Sequence, residues 1–255
     1  MKERAKAERV PYSASGLVDM HSHILPGMDD GARTAAVSLA MLDEMAKQGV
    51  FAVISTSHFY PENENPDAFL RRRAAAAEML RTVYDPAKHP TLYVGAEVAY
   101  YPGISRSSEL EKLRILGTRS ILIEMPFFKW SQDMLRELVF LGVQTGLRPI
   151  LAHMERCIPK QPRDTLQKLL EGGVRLQSNA EYFLNRKTSK EALRYLSKGY
   201  ISFLGSDAHN TDTRAPNLQA AVDVIADALG EEAIRRLVDN GRVLTEEAIP
   251  LFETL

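Results

Sequence analysis

The sequence predicts an α/β protein built as a parallel (β/α) barrel, with its functional site at the C-terminal ends of the strands. Three observations predict it. Seven short, β-branched apolar runs alternate with helical stretches, the pattern of a parallel sheet. The runs are almost continuously apolar, as strands covered on both faces must be. Five of the six histidines and several carboxylates fall where a run ends. In a parallel barrel all those ends open onto one face.

The elements follow in order. "LVDMH", from Leu17, is the first strand. It carries His21, and His23 two residues on points to the same side of an extended chain. "PGMDDGART" turns on the same rim, so that Asp30 is expected to reach the cleft while Asp29 is solvated or caps the turn. "TAAVSLAMLDEMAKQG" reads as a helix, with Thr34 as its cap, Val37, Met41 and Met45 on one face, and Gly49 at its end. "FAVISTSH", from Phe51, is followed by His58, and "TLYVGAE", from Thr91, ends on Glu97. "SILIEM", from Ser120, carries Glu124, and the helix "SQDMLRELVFLGVQTG" runs from a Ser131 cap to Gly146. "PILAH", from Pro149, ends on His153. The helix "DTLQKLLEGG", the strand "VRLQSN" from Val174 and the helix "SKEALRYLSKG" lead to "YISFLGSD" from Tyr200, with Asp207 and His209 at its exit. His89 precedes its strand, so it is expected at the opposite face and not among the ligands. Residues 1–16 read as a flexible tail and 17–255 as a single domain, because no linker, repeat or low-complexity segment interrupts the alternation.

Carboxylates converging in a partly buried cleft repel one another unless cations offset them. Imidazole and carboxylate donors without thiolate suit Mn, Fe, Co or Zn. A formal net charge of −1 gives no electrostatic reason to expect nucleic acid or a membrane surface. The lone Cys157 excludes an internal disulfide and any multi-cysteine zinc site. No apolar run approaches the roughly 20 residues that span a bilayer, and the charged N-terminus lacks the apolar stretch of a secretory signal. The cytoplasm is the expected compartment, with no membrane insertion. "CIPKQPR" matches C-x5-R, the phosphate loop of cysteine-dependent phosphatases. Pro159 and Pro162 have no N–H to aim at phosphate, and no glycine permits the tight curl. Cys157 therefore reads as an ordinary loop residue. The aromatics of "EMPFFKW", with Tyr60, Tyr100 and Tyr101, lie on the cleft side, where they serve as lid, packing or aromatic rim.

"DMHSH", "STSH", "GAE", "IE", "LAHMER" and "GSDAHN", in this order, resemble the PHP (polymerase and histidinol phosphatase) family. That resemblance implies a distorted seven-stranded, TIM-like barrel holding three divalent metal ions. "HSHILPGMDDGART", "LAHMERC" and "GSDAHNTDTRAPN" are similar to one branch, the manganese-dependent protein-tyrosine phosphatases of bacterial capsule and exopolysaccharide loci. The resemblance implies a first metal on His21, His23, Glu97 and Asp207. It implies a second on Glu97, Glu124 and His153, and a third on Asp30, His58 and His209, with Mn the expected ion. Arg156 and Arg214 match the arginines that grip phosphate. The implied reaction is hydrolysis of protein phosphotyrosine by in-line attack of a metal-bridging hydroxide, regulating exopolysaccharide or capsule synthesis. The implied partner is a phosphotyrosine protein such as a bacterial tyrosine kinase. With four carboxylates against three divalent ions and a hydroxide, the site would be slightly positive and attract a phosphate dianion. A tyrosine phenolate, with an acid pKa of about 10, leaves readily. Asp19 is a candidate to orient one of the histidines. The chain departs from the branch at Met154 and Cys157, where proline and tyrosine are usual, and in "QSNAEYF", which replaces a more glycine-containing stretch. A small-molecule phosphatase such as histidinol phosphatase, a nuclease, an amidohydrolase and a silent metal-binding scaffold remain as alternatives.

Overall fold

Two of the seven predicted strands are broken, and the breaks place part of the site. The computed structural model describes residues 16–253, so the expected N-terminal tail lies outside the described residues but for Gly16. The strands are β1 (Leu17–Ser22), β2 (Val50–Ser55), β3 (His58–Phe59), β4 (Thr91–Val94), β5 (Glu97–Ala99), β6 (Ser120–Glu124), β7 (Arg148–Leu151), β8 (Arg175–Asn179) and β9 (Phe203–Gly205). The second predicted run supplies β2 and β3, and the third supplies β4 and β5. Nine segments among the described residues thus make seven staves. All pairings are parallel, in the orders β1-β2-β4 and β3-β5-β6-β7-β8-β9. The sheet curls until the chain leaving β9 meets β1. Asp207 N–H donates to His21 O at 2.7 Å, and His23 N–H donates to Ala208 O at 2.9 Å.

The breaks fall at Thr56–Ser57 and Gly95–Ala96. Backbone bonds carry the ladder across them, from Gly95 N to Ser55 O (2.9 Å) and from Glu97 N to Thr56 O and Ser57 O (3.1 and 3.0 Å). A side chain at Gly95 would start 3.0 Å from Ile115 Cγ1, so glycine permits the close approach there. Beyond the breaks His58 pairs in register with Glu97, and residues in register share a face. Glu97 therefore opens β5, where the sequence pattern had it closing a strand. The register of β1 also shifts between Asp19 and Ser22. Asp19 Oδ1 accepts there from His21 N (3.2 Å) and Ser206 N (2.9 Å). The irregularity turns His21 to the side that strict alternation from the inward Val18 and Met20 would deny it.

Alternate strand residues fill the interior: Val18, Met20, Ala52, Ile54, Leu122, Ile150 and Phe203, joined by Leu244 and Ala248. Their neighbours face outward to the helices. Helix α1 (Ala35–Lys47) is capped by Thr34, whose hydroxyl accepts from Val37 N, and buries Met41, Leu42 and Met45. Helix α2 (Pro66–Arg81) has Asn65 as its cap and Pro66 in its first turn. Helix α3 (Gln132–Thr145) starts at the Ser131 cap and stops at Gly146, with φ +72°. The rest are α4 (Met154–Cys157), α5 (Thr165–Glu171), α6 (Glu181–Leu184), α7 (Ser189–Ser197), α8 (Leu218–Leu229) and α9 (Glu231–Glu247). Cys157, expected in a loop, ends α4 and is buried. Among the described residues no helix is long and apolar enough to cross a membrane.

Candidate metal centre

The nine residues singled out as ligands come together at the strand exits. Glu97 is the hub. Its Oε1 lies 2.7 Å from His153 Nε2, and its Oε2 lies 3.0 Å from His58 Nδ1, 3.1 Å from His21 Nε2 and 3.4 Å from His23 Nε2. Glu124 reaches His153 Nε2 at 3.4 Å and His58 Nδ1 at 3.9 Å. Asp207 Oδ1 stands 3.5 Å from His23 Nε2 and 3.7 Å from His21 Nε2. Asp30 Oδ1 closes the outer edge, 3.2 Å from His209 Nε2 and 3.7 Å from His58 Nε2. Three groups have donor atoms close enough to share an ion: His21–His23–Asp207, His58–Glu97–Glu124 and His23–Asp30–His58–His209. His23 and His58 thus stand between the sets that the resemblance implied.

Backbone strain helps to aim two of these groups. His153 and Asp207 are the two non-glycine residues with positive φ among the described residues, at 27° and 53°. Such conformations cost of order 1–3 kcal/mol and persist where the surroundings fix them. At His153 the fixing partner is Gln177, whose Oε1 accepts from its backbone N–H at 2.7 Å. At Gly205 an added Cβ would fall 2.6 Å from His21 Cβ and 2.8 Å from Gln177 Nε2, so only glycine admits both.

A set of polar side chains that the sequence reading passed over holds the imidazoles. Gln177 Oε1 accepts from His21 Nδ1 (3.2 Å), and Asp29 Oδ2 accepts from His23 Nδ1 (2.8 Å). Asp29 also takes Gly31 N (2.9 Å) and His58 N (2.8 Å). It caps the turn as one expectation had it, but it is buried against His23 and not solvated. Asn179 Nδ2 donates to Asp207 Oδ2 at 2.8 Å. Asp19, expected to orient an imidazole, accepts from the backbone N–H groups of His21 and Ser206 and bonds no ring nitrogen. Gln177 and Asn179 had one sequence signal. "VRLQSN" ends in polar residues on the rim that the other strands use.

The donor chemistry fits divalent cations. These hydrogen bonds assign the proton of neutral His21 and His23 to Nδ1 and leave a lone pair on each Nε2. The two Nε2 atoms face each other at 3.2 Å. His209 is tied by Nδ1 to Asp207 O at 2.9 Å, and its Nε2 has no hydrogen-bond partner. His58 Nδ1 and Glu97 Oε2 are also buried without one. Unshared lone pairs and carboxylates crowded out of water need positive charge. Protons show the same demand. Burial opposes charge on His23, yet bonds to Asp207, Asp29 and Glu97 hold its pKa well above the usual imidazole value. Burial likewise opposes charge on Glu97, and His21, His153 and His23 overcome it, holding its carboxyl well below the ordinary range. His153 is pushed up to about 9 when its bonds to Glu124 and Glu97 outweigh burial.

Arg156 and Arg214 stand at the rim on one shared carboxylate. Their Nη2 atoms lie 2.6 and 2.8 Å from Asp207 Oδ2 and Oδ1. Both remain partly exposed. A cavity of about 600 Å³ opens at the outer edge of the cluster, lined by Asp29, Asp30, His58, Tyr60 and Arg72. Tyr60 stacks on His58 with ring centres 5.2 Å apart, and Phe127 meets His153 edge-on at 5.5 Å. Trp130 is instead buried, with Nε1–H on Pro126 O. His89 sits apart, 3.2 Å from Asp43 and joined to Asp85 N. Burial, with the charge of Glu155, pushes the Cys157 thiol up to about 12, and the thiol donates to Met154 O. It is no thiolate nucleophile at neutral pH.

Comparison with known proteins agrees with this geometry. A family model described as "Capsular polysaccharide synthesis, CpsB/CapC" matches residues 17–245. The tyrosine-protein phosphatase CpsB of Streptococcus pneumoniae is 29% identical over 246 residues, covering 89% of this chain and 97% of its own. The tyrosine-protein phosphatase YwqE of Bacillus subtilis is 30% identical over 236 residues, covering 89% and 91%. A crystal structure from the work on YwqE and CpsB, described as unique metal-dependent tyrosine phosphatases, superposes with a TM-score of 0.79 at 27% identity. It covers 92% of this chain and 96% of that one. Histidinol phosphate phosphatase of Lactococcus lactis shares the fold, with a TM-score of 0.51 at 14% identity over 84% and 94% of the two chains. Matched by the family model along nearly all of its described length, this chain belongs to the CpsB/CapC family of capsular polysaccharide synthesis.

Proposed function

We propose that the chain is a metal-dependent protein-tyrosine phosphatase that acts in the control of capsule or exopolysaccharide synthesis. One observation carries the reading: a buried cluster of imidazoles and carboxylates with unshared donor atoms, bordered by two arginines held on a single carboxylate. Three divalent ions, manganese first, fit the donors as His21–His23–Glu97–Asp207, Glu97–Glu124–His153 and Asp30–His58–His209. When bound they supply positive charge and activation of water at neutral pH.

The chain's own residues do the rest. Arg156 and Arg214 bind the phosphoryl oxygens and stabilise charge on them as the phosphorus–oxygen bond to the phenol breaks. Asp207 keeps both guanidinium groups aimed at the cleft. Phe127 and Tyr60 flank the phosphorylated ring. Water adds in line and the phenol leaves, its low basicity asking little of an acid. The substrate is a phosphoprotein, with a bacterial tyrosine kinase as its expected source. Residues 17–255 act as one unit, in the cytoplasm.

The test is hydrolysis of p-nitrophenyl phosphate and a phosphotyrosine peptide, with manganese and after chelation, beside histidinol phosphate. Peptide turnover that requires metal supports the reading. Preference for histidinol phosphate, or turnover indifferent to chelation, overturns it. Arg214→Ala should lower kcat/KM by about 10²-fold at unchanged metal content, and an unaltered value would remove the arginine from the site.

A further inference from the structure

A second cavity, of about 760 Å³, lies beside the metal cluster between the loops that leave β5 and β6 and the exposed face of α3. Its size is that of pockets that enclose ligands, yet none of the nine metal-ligand candidates lines it. Pro102, Pro126, Phe128, Met134 and Phe140 give it an apolar floor, and Arg106 stands on its wall. Phe128 is 60% exposed and Phe140 47% exposed, a large apolar area that nothing else among the described residues covers.

Two observations say what belongs there. The first is continuity. Pro126 and Phe128 line the cavity, while Phe127 between them packs on His153 at 5.5 Å and lies under the Arg156 guanidinium at 5.9 Å. One short loop therefore walls the cleft with one ring and the second cavity with the next. A chain whose phosphorylated residue enters the cleft on this side passes this loop. The second is charge. Both carboxylates in the cavity are already occupied. Asp133 pairs with Arg136 at 3.0 Å, and Glu137 accepts from Tyr100 Oη (2.6 Å) and Gly103 N (2.8 Å). Arg106 makes no ion pair among the described residues, so its guanidinium is available to an acidic side chain although the formal charges of the lining balance.

We propose that this cavity docks the segment of the substrate protein that flanks its phosphotyrosine, seating an apolar side chain on Phe128 and Phe140 and an acidic one on Arg106. The proposal rests on the phosphatase reading and deepens it. The metal cluster and the arginines recognise the phosphate, whereas this cavity selects the polypeptide that carries it. The occupant is an acidic, partly apolar peptide segment, not a second phosphate.

The experiment compares the intact, manganese-loaded protein with Arg106→Glu and Phe140→Ala on three substrates. These are p-nitrophenyl phosphate, a phosphotyrosine peptide flanked on both sides by leucine and aspartate, and the same peptide with asparagine for aspartate. The wild type should prefer the acidic peptide. Arg106→Glu should abolish that preference, lowering kcat/KM on the acidic peptide by about fivefold through KM. Phe140→Ala should weaken both peptides alike. Neither change should alter p-nitrophenyl phosphate turnover. Equal wild-type rates on the two peptides, or an acidic-to-neutral ratio untouched by Arg106→Glu, would overturn the docking site while leaving the phosphatase intact. If p-nitrophenyl phosphate itself is not turned over, the reading of the metal cluster fails and the docking site falls with it.

Discussion

The inner and outer parts of the metal cluster are built by different means. His21, His23, Glu97 and Asp207 are all buried, and three of them are fixed by a further side chain. Gln177 holds the ring of His21, Asp29 that of His23, and Asn179 the carboxylate of Asp207. Asp30, at the outer edge, is 64% exposed and rides on a turn. Its contacts are His209, His58 and Arg214, the last at 3.6 Å. A donor set held by packed strands stays organised without its ion, whereas a turn must be ordered when the ion binds, at an entropic cost. Affinity should therefore fall from the inner edge to the outer one.

That gradient can be broken at several points. His23→Ala removes a donor shared by both edges. It should lower kcat by about 10³-fold and take more than one metal ion from each folded chain, as read by elemental analysis beside circular dichroism. Full metal content in the variant would show that the inner set does not depend on this ring. Gln177→Leu leaves every proposed ligand in place but frees His21 and the strained His153 backbone. Metal affinity should drop by about 10- to 100-fold, and an unchanged titration would make Gln177 a mere packing residue. Asp30→Ala should cost at most about tenfold in activity, with one weakly held ion lost first on dilution. If all ions bind as before, the outer edge has another anchor. Cys157→Ser should leave turnover unchanged and cost about 1 kcal/mol of stability, seen as a lower Tm. The wild-type thiol, protonated at any pH well below about 12, should resist iodoacetamide at pH 8. Rapid labelling would contradict its burial.

The same contrast explains what could be read before the structure. The convergence of the candidate donors other than Asp30 was legible because strand ends in a parallel barrel share a face, whatever their distance along the chain. His21 and His209 are 188 positions apart by number, yet both follow from one rule. The residues that orient them were not legible. Gln177 serves His21 and His153 through contacts that no local spacing encodes, and Asp29 is indistinguishable from Asp30 until the turn is folded. Glu97 was placed at a strand end when it opens β5, because the run was read as one strand through Gly95, where the chain breaks and packs closely on Ile115. Cys157 was correctly set aside as a nucleophile on its prolines, although its place is a buried helix end and not a loop.

By itself the sequence determined the alternation of strands and helices, the caps at Thr34 and Ser131, and which side chains reach the rim. Those depend on periodicity and on hydrogen bonds a few residues long. Only the tertiary structure decided which donor atoms come within reach of one another, which ring nitrogen of His21 and His23 carries the proton, and that Arg156 and Arg214 lean on the same carboxylate. It also decided that one loop sets Phe127 against His153 and its neighbours Pro126 and Phe128 on the second cavity. Those are properties of the space between elements, set when the curl of the sheet brings β9 back to β1.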